Sequence, residues 1–368
     1  MSDGGSGRPL RRGWTTGACA TAAARAAFEA LATGAPPPDP VEIALPSGKR
    51  VAFALATFER GEDFARAGVV KDAGDDPDVT HGALICAQVR RGAAGAGVRF
   101  FAGQGVGTVT RPGLPLPPGE PAINPVPRRM MAEMILEASA KTGVAPDADI
   151  EISIPGGEAL AKHTLNGRLG IVGGLSILGT TGIVTPFSCA AWIDSIHRGV
   201  DVARASGLTH IAGATGSTSE AAIKRLYELS ETALIEMGDF VGGFLKYLRT
   251  HPVARVTIGG GFAKMTKLAQ GRLDLHSGRS SVDFARLAQT AREVGAGEEI
   301  AELIVNANSA LEALEIAQSA GVDLAAPIAR AAWKTAARAL ETAETALDII
   351  IFDREGALLA RTPFRETK

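Results

Sequence analysis

The sequence predicts an α/β protein in two parts, an α+β portion over residues 1–188 and a Rossmann-like α/β portion over residues 189–368. Three observations predict it. Apolar residues alternate in short runs through the first half, helical periods and short apolar strands take turns through the second, and 368 residues at 46% hydrophobic content exceed what one core usually organises.

The elements follow in order. Residues 1–9 are rich in Gly, Ser and Pro and read as a disordered tail. The stretch Ala18 to Leu31 is full of helix formers and stops before Gly34 and "APPP", which predicts a helix. Val41, Ile43, Leu45 and Val51, Phe53, Leu55 alternate on either side of "PSGK", the pattern of a hairpin. Short strands are expected near 67–70 and 83–89, a helix over 128–141, and a further strand through Ile150, Ile152 and Ile154. Alternation marks strands with one wet face, so the first half should hold an antiparallel sheet.

The rhythm changes after Pro186. Cys189 to Ser206 carries Ile193, Ile196, Val200 and Ala203 at helical spacing, and the apolar "LTHIAG" follows. "SEAAIKRLYEL", "ALIEM", "FVGGFLKYLR" and "ARVTIGG" then read helix, strand, helix, strand, which argues for a parallel sheet. Residues 283–343 read as mostly helical, and "ALDIIIFD" as a late strand.

A formal net charge of −2 provides no bulk field to gather nucleic acid or anionic lipid, so neither is an expected partner. Cys19, Cys86 and Cys189 lie far apart without a CxxC, which fits reduced thiols in the cytoplasm and excludes a cysteine zinc site. Arg25 and Glu29 interrupt the alanine-rich N-terminal stretch, and no run approaches the roughly 18 apolar residues of a membrane span.

Several stretches could carry chemistry. "VKDAGDDPDVTHG", residues 70–82, crowds Lys71, Asp72, Asp75, Asp76, Asp78 and His81 together. The spacing does not fit a calcium loop and His81 has no nearby second histidine, so no metal site is expected. In the second half, "HIAGATGSTSEAA" places Gly213, Thr215 and Gly216 between a strand and a helix, where backbone can approach a ligand closely. Ser217 and Glu220 have capping-box spacing, Glu236 ends the next strand where such folds place an acid on a ribose hydroxyl, and Asp239 reads as the cap of its own helix. The glycine spacing is not GxGxxG. A structural glycine turn fits the same residues.

"LRRGWTTGACATAAA", "VKDAGDDPDVTHG", "GQGVGTVTRPGL…GEPAINPVPRRM" and "LNGRLGIVGGLSILGTTGIVTPFS", in that order, resemble the cobalt-precorrin-5B (C-1)-methyltransferase family, the CbiD type of cobalamin biosynthesis. The resemblance runs from about residue 10 to about 280 and is less distinctive over the last 90 or so residues. It implies methyl transfer from S-adenosylmethionine to ring carbon 1 of a cobalt-corrinoid, with cobalt arriving only inside the substrate. On that reading Asp72, Asp75, Asp76 and His81 are candidates near the sulfonium or for proton transfer. Lys71, Arg128, Arg129, Lys162 and Arg168 are candidates for the substrate's carboxylates, and Thr15, Thr16, Asn124, Asn166, Thr180 and Thr181 for neutral hydrogen bonds. Gly213, Thr215, Gly216, Ser217, Glu236 and Asp239 are the expected cofactor residues, with the site between the two parts. A homo-oligomer is compatible with the sequence. Two rivals stay open: a non-catalytic tetrapyrrole carrier, and a nucleotide-dependent enzyme such as a kinase, for which Gly259 to Gly261 and Lys264 would matter.

Overall fold

The structure is a computed structural model that describes residues 9–341 and 344–367. The expected disordered tail, apart from Pro9, and the last two residues of the 283–343 helical stretch lie outside the described residues. The chain divides into two compact units, Met1–Ser188 and Cys189–Lys368.

The first unit is built on the helix Thr16–Thr33. Of its 18 residues 14 are buried, so it is a core helix and not an amphipathic surface one. Alanine at most of those positions keeps the helix thin enough for the strands Phe64–Val70 and Leu84–Arg91 and the helix Pro125–Thr142 to pack directly on it. Thr15 caps its start, and Gly34 ends it in the left-handed region (φ 77°), its N–H returning to the Ala30 carbonyl at 3.0 Å.

The five-stranded sheet has the order Thr57–Arg60, Phe64–Val70, Leu84–Arg91, Ala148–Ser153, Val98–Ala102. It is mixed, which corrects the antiparallel expectation: Ala148–Ser153 runs antiparallel to Leu84–Arg91 but parallel to Val98–Ala102. A parallel neighbour requires a long crossover. Residues 103–147 supply it, with the helix Pro125–Thr142 inside it. The hairpin Val41–Ala44 with Arg50–Phe53 stands as expected around its four-residue turn.

One ion-pair network is sunk into this core. Arg25, 4% exposed, meets Glu29 at 2.9 Å and Glu137 at 3.1 Å, and Glu137 also receives two bonds of 3.0 Å from Arg50. The Arg50 hydrogen bonds above all, helped by Lys141 and Arg25, outweigh partial burial and hold the Glu137 carboxyl down at about 2.

The second unit is doubly wound. Its parallel strands lie in the order Leu234–Glu236, His210–Ala214, Arg255–Gly261, Ala346–Phe352, and Leu358–Arg361 adds an antiparallel edge. In order of appearance this is 2-1-3-4, so the strand order reverses between His210–Ala214 and Arg255–Gly261. Both central strands, Arg255–Gly261 and Ala346–Phe352, are buried along almost their whole length, as strands covered by helices on two faces must be. The stretch read as mostly helical holds Phe284–Glu293, Glu298–Val305, Ala310–Ser319 and Ala325–Leu340. No helix of the described residues is long and apolar enough to cross a membrane.

Candidate functional site

The acidic stretch leaves the strand Phe64–Val70 and returns into Leu84–Arg91. Lys71 and its neighbours close the neck: Lys71 N–H donates to the Ala83 carbonyl at 2.8 Å and Gly82 N–H to the Lys71 carbonyl at 2.7 Å. The segment before the core helix is stitched to this loop. Trp14 N–H donates to the Asp72 carbonyl at 2.7 Å, Arg11 N–H to the Asp75 carboxylate at 2.6 Å, and Asp75 N–H to the Arg11 carbonyl at 2.9 Å. Two glycines allow the contact. A Cβ on Gly13 would lie 2.0 Å from the Ala73 carbonyl carbon, and one on Gly74 would lie 2.1 Å from the Arg11 oxygen.

The carboxylates are largely committed inside the protein. Asp72 takes both arms of the Arg11 guanidinium and the Gly74 N–H, and the Arg11 bond chiefly pulls it down to about 2. Asp76 accepts from the Phe187 N–H at 2.8 Å. Asp78 accepts from Thr80 N–H and Oγ1 at 2.7 and 2.6 Å and from Lys71 Nζ at 2.6 Å. His81 accepts at Nδ1 from Ala73 N–H (3.1 Å), which leaves its exposed Nε2 side open. No group of three or more His, Cys, Asp or Glu among the described residues is placed to hold a metal ion.

A second gathering point lies where the helices Thr16–Thr33 and Pro125–Thr142 begin. The loop after Leu175 covers both starts: Gly17 N–H donates to the Leu178 carbonyl (2.8 Å), Thr15 N–H to that of Gly182 (3.1 Å), and Asn124 N–H to that of Ile177 (3.0 Å). Thr16 Oγ1 accepts from Leu178 N–H at 2.8 Å, and Gly179 has room only for a hydrogen against the Thr15 side chain. Five candidates from three separate motifs, Thr15, Thr16, Asn124, Thr180 and Thr181, thus come together. Thr15 and Thr16 are spent on the backbone and Thr181 bonds within its own turn, whereas Thr180 is exposed and the half-buried Asn124 side chain makes no cap bond. Asn166 sits elsewhere, buried, its amide donating to the Gly174 carbonyl (3.0 Å) and accepting from Ser176 (3.3 Å).

The basic candidates divide sharply. Lys71 is 1% exposed and turned inward onto Asp78, so it does not present its charge at the surface. Arg128 donates to the carbonyls of Ile123 (2.8 Å) and Pro121 (3.1 Å) and to Glu120 (2.8 Å), and lies over the Phe100 ring. Arg129 is 61% exposed, with only a 4.0 Å approach to Glu133; Lys162 is exposed and Arg168 half-buried. Sequence reasoning missed Arg11 as the partner of the acids. It also missed Phe187, 66% exposed at a φ of 54°, in the region that bulky residues avoid.

In the second unit the candidate cofactor residues lie at the carboxyl ends of the strands, beside the reversal point where ligands of doubly wound folds bind. Gly213 is a packing glycine, since a Cβ would meet Met237 Sδ and Phe244 at 2.8 Å. Thr215 is buried against Gly260 and donates its N–H to the Gly259 carbonyl at 3.0 Å. The expected Ser217–Glu220 capping box does not form: Gly216, in extended backbone and facing open space, is the cap, and Ser217 is already the first helical residue. Asp239 does not cap its helix either, because Phe240 stands at that position. Asp239 faces Lys264 instead, Oδ1 lying 3.1 Å from Nζ. Glu236 is exposed at its strand end, level with Ala214. Lys267 is buried and donates to the Leu275 carbonyl at 2.9 Å.

Comparison with known proteins bears on both units. A CbiD family model matches residues 4–186, and a CbiD C-terminal-domain model matches residues 274–363, the stretch where the resemblance read from sequence was thinnest. A protein of Methylorubrum extorquens is 64% identical over 95% of this chain and 97% of its own length, and one of a Bradyrhizobium species is 64% identical over 96% and 94%; each is named cobalt-precorrin-5B C(1)-methyltransferase. The crystal structure of the cobalamin biosynthesis protein CbiD from Archaeoglobus fulgidus is 29% identical, covers 69% of this chain and 77% of its own, and superposes with a TM-score of 0.39. With relatives this similar over nearly its whole length, the chain belongs to the CbiD family.

Proposed function

We propose that this chain transfers a methyl group to ring carbon 1 of cobalt-precorrin-5B, giving cobalt-precorrin-6A in cobalamin biosynthesis. The observation that carries the reading is the identity of 64% over at least 95% of the chain with two relatives of that name. Cobalt belongs to the substrate on this reading.

The methyl donor is S-adenosylmethionine, which supplies a methyl group already activated on a sulfonium. A ring carbon of the electron-rich macrocycle forms the new C–C bond as the C–S bond breaks, and S-adenosylhomocysteine leaves. No side chain has to act as nucleophile, so the protein's work is alignment and exclusion of water. The carboxyl-end crevice of the second unit fits the donor: Gly216 faces open space at a helix start, and exposed Glu236 is set to accept from ribose hydroxyls. In the first unit the unspent groups hold the corrinoid, Arg129 and Lys162 on its carboxylates and Asn124 and Thr180 on neutral positions.

The test is turnover of purified protein with cobalt-precorrin-5B and methyl-labelled S-adenosylmethionine, read by mass spectrometry. The expected result is one labelled methyl on the corrinoid and one S-adenosylhomocysteine per turnover. Corrinoid binding with no methyl transferred would replace the enzyme by a carrier.

A further inference from the structure

Lys264 belongs to the glycine-rich "TIGGGFAKMTKLAQG" stretch, which neither phosphate chemistry nor the candidate sites above absorb. In the fold it reaches back from the helix Phe262–Ala269 to the loops that follow the strands His210–Ala214 and Leu234–Glu236. Its Nζ donates to the Thr215 carbonyl at 2.7 Å and stands 3.1 Å from Asp239 Oδ1. The second approach is an ion pair, and among the described residues Asp239 Oδ1 makes no further hydrogen bond. Asp239 is itself fixed, its carbonyl accepting the Leu275 N–H at 2.9 Å.

The pair is half open. The Asp239 side chain is 23% exposed although Oδ1 is buried, so its exposure lies on its other atoms, and Lys264 is 36% exposed. An ammonium has three donors, and only one of Lys264's is spent in a formed bond. A carboxylate and an ammonium side by side, each with capacity left, complement a ligand that carries one charge of each sign. Each charge of such a ligand meets an opposite charge at the pair, which offsets part of the desolvation cost of taking it out of water.

We propose that Asp239 and Lys264 clamp the α-amino-acid end of the methyl donor. Asp239 accepts from its ammonium and Lys264 donates to its carboxylate. The inference rests on the reading that S-adenosylmethionine is the donor, and it adds the chemical group recognised and the residues that recognise it. Lys264 is new as a donor-binding residue, and Asp239, already an expected cofactor residue, loses its expected role of helix cap and gains a stated contact.

Calorimetric titration with two probes tests it: S-adenosylhomocysteine, which has the α-amino acid, and 5′-methylthioadenosine, which lacks it. The wild type should prefer the first by about a hundredfold, the worth of two charge-assisted bonds. Asp239→Asn and Lys264→Met should each cost S-adenosylhomocysteine about tenfold or more and leave 5′-methylthioadenosine unchanged. Two results would overturn the clamp while the donor reading stands: variants that bind S-adenosylhomocysteine like the wild type, or variants that lose both probes in parallel, which would make the pair a structural latch. A wild type that binds neither probe, alone or with corrinoid present, removes the donor reading and the clamp with it.

Discussion

Asp78→Ala should be far more damaging than Lys71→Met, although each removes one half of the same ion pair. Lys71 is 1% exposed, and Asp78 Oδ2, at 2.6 Å, is the single hydrogen-bond partner of its ammonium among the described residues. Removing the acid leaves an ammonium buried without a counter-charge, a change that costs about 3–5 kcal/mol. The cost has a ceiling, because the lysine can shed its proton. From a normal pKa near 10.4 that escape costs about 4.6 kcal/mol at pH 7 and about 1.9 kcal/mol at pH 9. The variant's lysine then has a folded pKa below its unfolded one, the unfolded chain binds more protons, and stability rises with pH. Lys71→Met leaves an acid that is 24% exposed and still bonded to Thr80, so a cost of about 1–2 kcal/mol is expected. Hydrogen exchange at the Lys71 and Gly82 amides, which close the neck of the loop, reads both numbers at both pH values. An Asp78→Ala cost under about 1 kcal/mol at pH 7, or one that grows toward pH 9, would refute the buried-ammonium argument.

Two further outcomes follow from the packing. Glu137, held down at about 2 chiefly by Arg50, contributes stability that is present above the unfolded carboxyl pKa and lost as pH falls from about 4.5 toward 2. Glu137→Gln should flatten that part of the thermal-stability profile, by on the order of 2 kcal/mol once solvent screening is allowed for, and an unchanged acid limb would count against it. Among the glycines, Gly13→Ala forces a Cβ to 2.0 Å from backbone and should melt several degrees lower in a thermal scan, whereas Gly216→Ala meets open space at extended backbone and should melt like the wild type.

The sequence was most legible where one physical signal dominated. The core helix announced itself by alanine content and by its stops, and the alternating and periodic stretches fell into strands and helices within a few residues. Thr57–Arg60 was invisible because all four residues are exposed and nothing alternates. Val98–Ala102 was missed for a related reason: it is an edge strand with no fully buried position, and its parallel pairing depends on a partner some 50 residues away. The capping box shows a different limit. The Ser217–Glu220 spacing is right, yet Gly216 occupies the cap, so the helix begins one residue earlier than the pattern implies and no box forms. Spacing alone cannot tell a cap from the residue after it.

The acidic stretch shows the same limit for chemistry. Composition places charges in a segment but not their partners, and partners decide what is left for a ligand. Arg11, Lys71, Thr80 and the Phe187 N–H take up Asp72, Asp78 and Asp76, so a stretch that reads as a reactive cluster is in large part a braced loop. The same subtraction ranks the basic residues. Arg128 holds two carbonyls and Glu120, so Arg128→Ala should loosen the chain before its helix as well as weaken corrinoid binding. Among the described residues the Arg129 and Lys162 side chains hold almost nothing, so Arg129→Ala and Lys162→Ala should leave the melting temperature within a degree or so while raising the corrinoid Kd several-fold. If all three variants lost binding and stability together, internal commitment would be no guide to which residues face the substrate, and the assignment of the unspent groups to the corrinoid would fall.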